Sequence, residues 1–193
     1  MNFAARRRLA MWTAAAGAVM VSAGAMAGGL LAKDDRSKSK RVAHATLVNA
    51  AGQKAGTVRF ERRGKSRSVL VTVRARMLSP GFHGFHVHST GKCDGPEFTS
   101  AGPHLNASGA NHPNHAGDMP PLLVSSEGKG EARFSTERFS IADLRDADGS
   151  AVIVHAMADN HANIPLDRYD PDPDAMTLAT GDSGARVLCG LVR

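Results

Sequence analysis

Aromatic side chains are scarce in this chain, at 5% of 193 residues with a single Trp and a single Tyr. Trp12 lies in the N-terminal segment, leaving Tyr169 as the only Tyr or Trp beyond it. Extensive protein interfaces draw on such anchors, so the composition points to a monomer or a small homodimer. Cysteine is limited to Cys93 and Cys189, too far apart for a short metal-ligand spacing. Helical periodicity is rare, and no repeat or low-complexity tract occurs beyond the N-terminal segment. Lys and Arg are scattered. Their densest run, Lys33 to Arg41, also contains Asp34 and Asp35, so nucleic-acid binding gains little support.

What is present begins with an export signal. Arg6, Arg7 and Arg8 precede an uncharged run from Leu9 to Ala32, and Ala25-Met26-Ala27 supplies a small-x-small cleavage site. Residues 1–27 are therefore expected to be a signal peptide, with 28–41 a charged flexible tether and 42–193 one β domain. An uncleaved anchor is the alternative, because 24 uncharged residues are long enough to span a bilayer. The export route, general or twin-arginine, stays open. Cleavage removes three arginines and no acids, so 24 bases against 18 acids become 21 against 18 and the net charge falls from +6 to +3. The expected location is periplasmic, cell-envelope or extracellular, with no stable membrane insertion after cleavage. In such an oxidising compartment the two cysteines are expected to pair, a copper-thiolate role being the alternative. A loop of that length closed by a disulfide is worth on the order of 4 to 5 kcal/mol in the chain-entropy picture.

Beyond the tether, short β-branched stretches alternate with Gly-, Ser- and Asp-rich turns. Strands are predicted at 42–49, 57–62, 68–77, 82–88, 121–125, 131–136, 151–155 and 186–192. Val69, Val71, Val73 and Ala75 alternate with Leu70, Thr72, Arg74 and Arg76, which gives one strand a core face and a partly wet face. The expected architecture is all-β: an eight-stranded antiparallel Greek-key sandwich or barrel. Two long connections, Ser89 to Pro120 and Ala156 to Ala185, interrupt it. Connections this long in a small domain are usually functional.

Six of the nine histidines suggest a metal. His86 and His88 stand two apart in a predicted strand and so share a face. His155 ends the apolar strand Ala151-Val152-Ile153-Val154, and His104 follows Ser100-Ala101-Gly102-Pro103. Four imidazoles from separate elements suit Cu(II). His112, His115 and Asp118 fall at three-residue steps, one ligand short of a tetrahedral zinc site, and His104 is a candidate for the fourth. An imidazolate binds one metal through each nitrogen, so one His can link copper to zinc.

The run Gly81-Phe-His-Gly-Phe-His-Val-His88, the segment Ser100-Ala-Gly-Pro-His-Leu-Asn106, His115-Ala-Gly-Asp118, Val154-His155 and Gly181-Asp-Ser-Gly-Ala-Arg-Val-Leu-Cys-Gly190 occur in this order. Together they resemble the copper/zinc superoxide dismutases, from about residue 42 onward. The resemblance implies a copper centre at His86, His88, His104 and His155, with His104 bridging to a zinc held also by His112, His115 and Asp118. It implies that Cys93 pairs with Cys189, that Asp159 hydrogen-bonds ligands of both metals, and that His83 pins the backbone. Arg186 would hold superoxide, the small anionic substrate, with Thr180 narrowing its channel; His104 and Arg186 would be the catalytic pair. Two features depart from the family pattern. Only Pro113 and Asn114 separate His112 from His115, which makes a copper-only enzyme, or a copper-binding or buffering protein without turnover, the alternatives. Asp167, Asp170, Asp172, Asp174 and Asp182 outnumber Arg168 in the second long connection, which would repel superoxide if they faced the copper. His44 and His161 match nothing in the family and read as surface residues.

Overall fold

The computed structural model describes residues 41–64, 67–106, 108–160, 167 and 173–193. The signal, the rest of the tether, His161, Arg168, Tyr169, Asp170 and Asp172 lie outside the described residues. No helix among those described is long and apolar enough to cross a membrane.

Nine antiparallel strands make one sheet: β1 Val42–Val48, β2 Lys54–Arg62, β3 Val69–Arg76, β4 Gly81–His83, β5 Phe85–His88, β6 Leu122–Val124, β7 Lys129–Thr136, β8 Ala151–His155 and β9 Arg186–Leu191. One short helix, α1 (Ala175–Thr180), sits in the second long connection. The first turn is set by Asn49, whose Oδ1 accepts from the backbone N–H groups of Ala51 and Gln53 at 3.1 and 2.9 Å. The β6–β7 hairpin turns at Gly128, whose φ of 72° lies in the left-handed region that Gly tolerates.

The predicted strand 82–88 is two strands, so the count is nine rather than eight. In sheet order β4 and β5 stand at opposite ends, β4-β6-β7-β3-β2-β1-β9-β8-β5, yet only Gly84 separates them in the chain. That juxtaposition nearly closes the sheet into a barrel and puts its seam at Gly84. The Gly84 N–H donates to the Met157 carbonyl and its carbonyl accepts from the His155 N–H, each at 2.8 Å. A Cβ at Gly84 would meet the Ser183 side chain, Oγ at 2.5 Å and Cβ at 2.6 Å, so Gly leaves the room that Ser183 fills.

Strand alternation then sorts the side chains. Phe85 and Val87, Val152 and Val154, and Val69, Val71 and Val73 point into the barrel beside Leu47, Phe60, Met119 and Leu188. Phe60 packs edge-on against Phe139, with ring centroids 5.9 Å apart. The opposite parity on β5 and β8 carries His86, His88, Ile153 and His155 to the outside of the barrel, under the long connections. There Ile153 and Ala151 join Phe98, Ala101 and Cys189 in a second small core. The Cys93–Cys189 disulfide, Cα–Cα 5.7 Å, staples the first long connection to β9 and rules out the copper-thiolate alternative.

Candidate metal centre

His86 and His88 project from β5, an edge strand whose free side the first long connection covers. Val87 receives the Leu105 N–H at 2.8 Å and donates to the Gly117 carbonyl at 2.9 Å, and isolated bridges pair His88 with His104 and His86 with Asp118. These bonds satisfy the edge and bring the loop imidazoles onto the strand imidazoles. His155 arrives from the end of β8, next to β5.

The four side chains His86, His88, His104 and His155 are almost wholly buried and form one group of potential ligands. One ring nitrogen of each strand histidine is committed. His86 Nε2 donates to Asp159 Oδ2 at 2.5 Å, His88 Nδ1 to the Gly102 carbonyl at 2.8 Å, and His155 Nδ1 to the Gly184 carbonyl at 3.0 Å. Because carbonyls and carboxylates accept, each committed nitrogen carries the proton and the other carries a lone pair. Those others, His86 Nδ1, His88 Nε2 and His155 Nε2, together with His104 Nε2, are buried with no hydrogen-bond partner among the described residues. Buried unsatisfied nitrogens are individually rare, and four in one group are the signature of a site built for a cation. Burial holds His86 down to about 4 and His155 to about 3, and keeps His88 well below the usual imidazole range, each helped by neighbouring imidazoles. Neutral nitrogen donors in this number suit copper.

The second group is His104, His112, His115 and Asp118. Its three Nδ1 atoms surround one carboxylate: His104 at 2.8 Å, and His112 and His115 at 3.3 Å. Both His112 and His115 are buried, so the two-residue spacing does not turn one of them outward. Asp118 Oδ2 also accepts the His115 backbone N–H at 2.9 Å. Burial would raise Asp118, but hydrogen bonds from His104 and His112 overcome it and lower its pKa. At His112 burial is likewise overcome, here by Asp118 and Asp159, and the imidazole is raised to about 9. Burial lowers His115. A buried carboxylate ringed by imidazoles attracts a cation, and three nitrogens with one oxygen match the donor set of zinc. His104 belongs to both groups, with Nε2 in the first and Nδ1 in the second.

Asp159 links the groups from behind, its other oxygen accepting from His112 Nε2 at 2.8 Å. Gly181, at φ 60°, leaves room for this pair, since a Cβ there would collide with Asp159 Oδ1 and His112 Nε2. His83 belongs to neither group. Its Nδ1 donates to the His155 carbonyl at 2.6 Å and its Nε2 lies 2.8 Å from the Ser79 carbonyl, so it pins the strand that carries a ligand. His44 is exposed on β1, as expected of a surface residue.

Arg186 reaches the site through a bulge. Val154 pairs with Leu188 but His155 with Arg186, so Val187 is an extra residue and Arg186 turns to the outer face. Its Nη1 and Nη2 donate to the carbonyls of Phe98 and Gly102, each at 2.7 Å. With His88, His104, His155 and Thr180 it lines a cavity of about 520 Å³. Thr180 ends α1, a helix masked in the sequence by its shortness and its acidic surroundings; Asp174 caps it by accepting the Thr177 N–H at 2.8 Å. Of the acids in this connection, Asp182 lines the same cavity and accepts from Thr177 Oγ1 and Asn160 Nδ2, both at 3.1 Å, while Asp167 and Asp174 are exposed. Sequence reasoning missed Arg138, whose Nη1 donates to the carbonyls of Pro113 and His115 at 3.0 and 3.1 Å and clasps the second group's loop. It lies in a separate connection with no motif around it.

Comparison with known proteins agrees with this geometry. Residues 54–192 match the family model described as copper/zinc superoxide dismutase. Superoxide dismutase [Cu-Zn] of Mycolicibacterium paratuberculosis is 38% identical over 157 residues, which cover 73% of this chain and 69% of the relative. That of Mycobacterium tuberculosis is 36% identical over 180 residues, covering 85% and 75%. Among solved structures, a superoxide dismutase-like protein from Bacillus subtilis superposes with a TM-score of 0.61 at 31% identity, over 77% of this chain and 96% of the other. With two ligand groups sharing one histidine on a nearly closed barrel, and this likeness over most of its length, the chain belongs to the copper/zinc superoxide dismutase family.

Proposed function

We propose that the protein is an exported superoxide dismutase, converting two superoxide anions and two protons to oxygen and hydrogen peroxide. The observation that carries this reading is the convergence of four buried, unpartnered ring nitrogens beside a cavity that also holds Arg186. His86, His88, His104 and His155 would hold copper, and His104, His112, His115 and Asp118 would hold zinc. Copper bound there supplies the one-electron redox chemistry.

The chain's own residues do the rest. Arg186 presents a guanidinium whose two outer nitrogens are held by loop carbonyls, so it is pre-aimed and contributes positive charge where a small anion enters. Superoxide dismutases are a known instance of such steering, which weakens as salt is added. Asp182 at the same cavity opposes it, and its hydrogen bonds to Thr177 and Asn160 hold that opposing charge in place. His104 lines the cavity with Nε2 unpartnered among the described residues and Nδ1 fixed toward Asp118, so the imidazole can take and return a proton at Nε2 without swinging away. Asp159 fixes the rings of His86 and His112 together.

Residues 42–193 are the working domain, and the N-terminal segment 1–27 is the export signal. Export is consistent with the Cys93–Cys189 disulfide. Measuring metal content and superoxide removal after loading with copper alone, then with both metals, tests the reading. Activity with copper that rises when zinc is added is expected, whereas full copper occupancy without activity would leave a copper-binding protein on the same scaffold.

A further inference from the structure

Five large apolar side chains are exposed among the described residues: Met77, Phe82, Leu123, Met157 and Met176. Phe82 and Leu123 face each other across β4 and β6, and Met77 lies just past the end of β3. The other two differ in kind and place. Met157, 55% exposed, and Met176, 64% exposed, line the cavity that His88, His104 and His155 also line, and the unpartnered Nε2 atoms of these three histidines are buried.

We propose that Met157 and Met176 form a thioether vestibule that captures Cu(I) and passes it to the imidazoles behind. The proposal rests on the reading of the first group as a copper centre. A wall needing only apolar bulk is served equally by Leu; what Met adds is a soft, neutral sulfur donor, the ligand type that selects Cu(I). Charge makes that neutrality useful, because Arg186 in the same cavity repels an incoming cation while serving an incoming anion. Thioethers bind Cu(I) without cancelling the positive charge that the anion needs, as an added carboxylate would. Asp182, already at this cavity, offsets part of the repulsion.

The two methionines sit on separate supports. Met157 lies two residues beyond His155; its N–H donates to the Ser183 carbonyl at 2.9 Å and its carbonyl accepts from Gly84 at 2.8 Å. Its thioether lies over Gly184, whose carbonyl orients the His155 ring. Met176 is in the first turn of α1. Transfer is ligand exchange: a copper–sulfur bond breaks as a copper–nitrogen bond forms, the metal stays Cu(I), and no electron or proton moves, since His88 and His155 already carry lone pairs.

The test uses metal-free protein and Cu(I) held by bathocuproine disulfonate under anaerobic conditions, following loss of the chelate colour, with Cu(II) sulfate uptake measured in parallel. The variant is Met157→Leu with Met176→Leu, which keeps bulk and removes sulfur. Cu(I) uptake on the order of tenfold slower, with final occupancy and Cu(II) uptake unchanged, is the expected result. Equal Cu(I) rates, or an equal slowing of both oxidation states, would overturn the vestibule while leaving the copper centre standing. Unaltered protein that takes up neither form of copper would overturn the copper centre and the vestibule with it.

Discussion

The two ligand groups share His104 but are built on different principles. In the first, three imidazoles stand on β5 and β8, and their committed nitrogens are held by the Gly102 and Gly184 carbonyls and by Asp159. In the second, His112, His115 and Asp118 come from one short loop, and their main partners are one another and Asp159. Strands in a closed sheet hold side-chain positions by many ladder bonds, whereas a loop depends on a few clasps. The barrel thus sets the strand-borne imidazoles of the first group in place, while the loop side chains of the second rely on Arg138 and on the His112 N–H bond to the Leu178 carbonyl of α1 at 3.0 Å.

Single ligand losses separate the groups most sharply. His155→Ala is expected to abolish superoxide removal and copper binding while zinc is retained, whereas His115→Ala should lose zinc and keep copper. Metal analysis of the two variants reads this directly, and loss of both metals in both variants would mean that the groups form one inseparable unit. Asp159→Asn should come next, because its two carboxylate oxygens hold one ring of each group, His86 and His112. Asn keeps one acceptor, so one of the two imidazoles loses its orienting partner, and affinity for at least one metal should fall roughly 10- to 100-fold by competition with a chelator. Unchanged affinity for both would show that packing alone fixes the two rings.

Arg186→Met probes the cavity of the first group. A drop of about tenfold in the second-order rate, with a flatter dependence on ionic strength, is expected for a steering charge. A drop with the salt dependence intact would assign Arg186 to holding the loop carbonyls instead. The smallest effect belongs to Arg138→Met, which removes hydrogen bonds to the Pro113 and His115 carbonyls. Because the arginine is partly solvated, a stability loss of about 1 kcal/mol is expected, with faster amide exchange over residues 112–118 and none of that change on β5. Equal exchange in both regions would erase the distinction between barrel-built and loop-built ligands.

Much of this was legible beforehand because the barrel strands are short, alternating and set off by turn residues. Val69, Val71 and Val73 announce a core face by period two, and the same period puts His86 and His88 together on the other face of β5. The seam was not legible. A Gly inside an apolar run reads as part of one strand, and only the different partners of β4 and β5 show that Gly84 divides it. Parity alone would also have turned Arg186 the same way as the core residue Leu188; the unpaired Val187 reverses it, and a bulge leaves no mark in composition. The short spacing of His112 and His115 raised a doubt about the second group, but their burial around Asp118 shows that two intervening residues suffice to bring both rings inward.

Residue order and chemistry alone decided the kind of site: the types of donor, their division into strand and loop sets, and the family to which five ordered motifs point. They could do so because periodicity and donor chemistry are local properties. Which nitrogen of each imidazole is open, which way Arg186 faces, that Arg138 clasps the loop of the second group and that Met157 and Met176 line the cavity beside the first were decided by the fold. Those facts depend on carbonyls, bulges and surfaces that lie tens of residues away along the chain and meet only when the barrel closes.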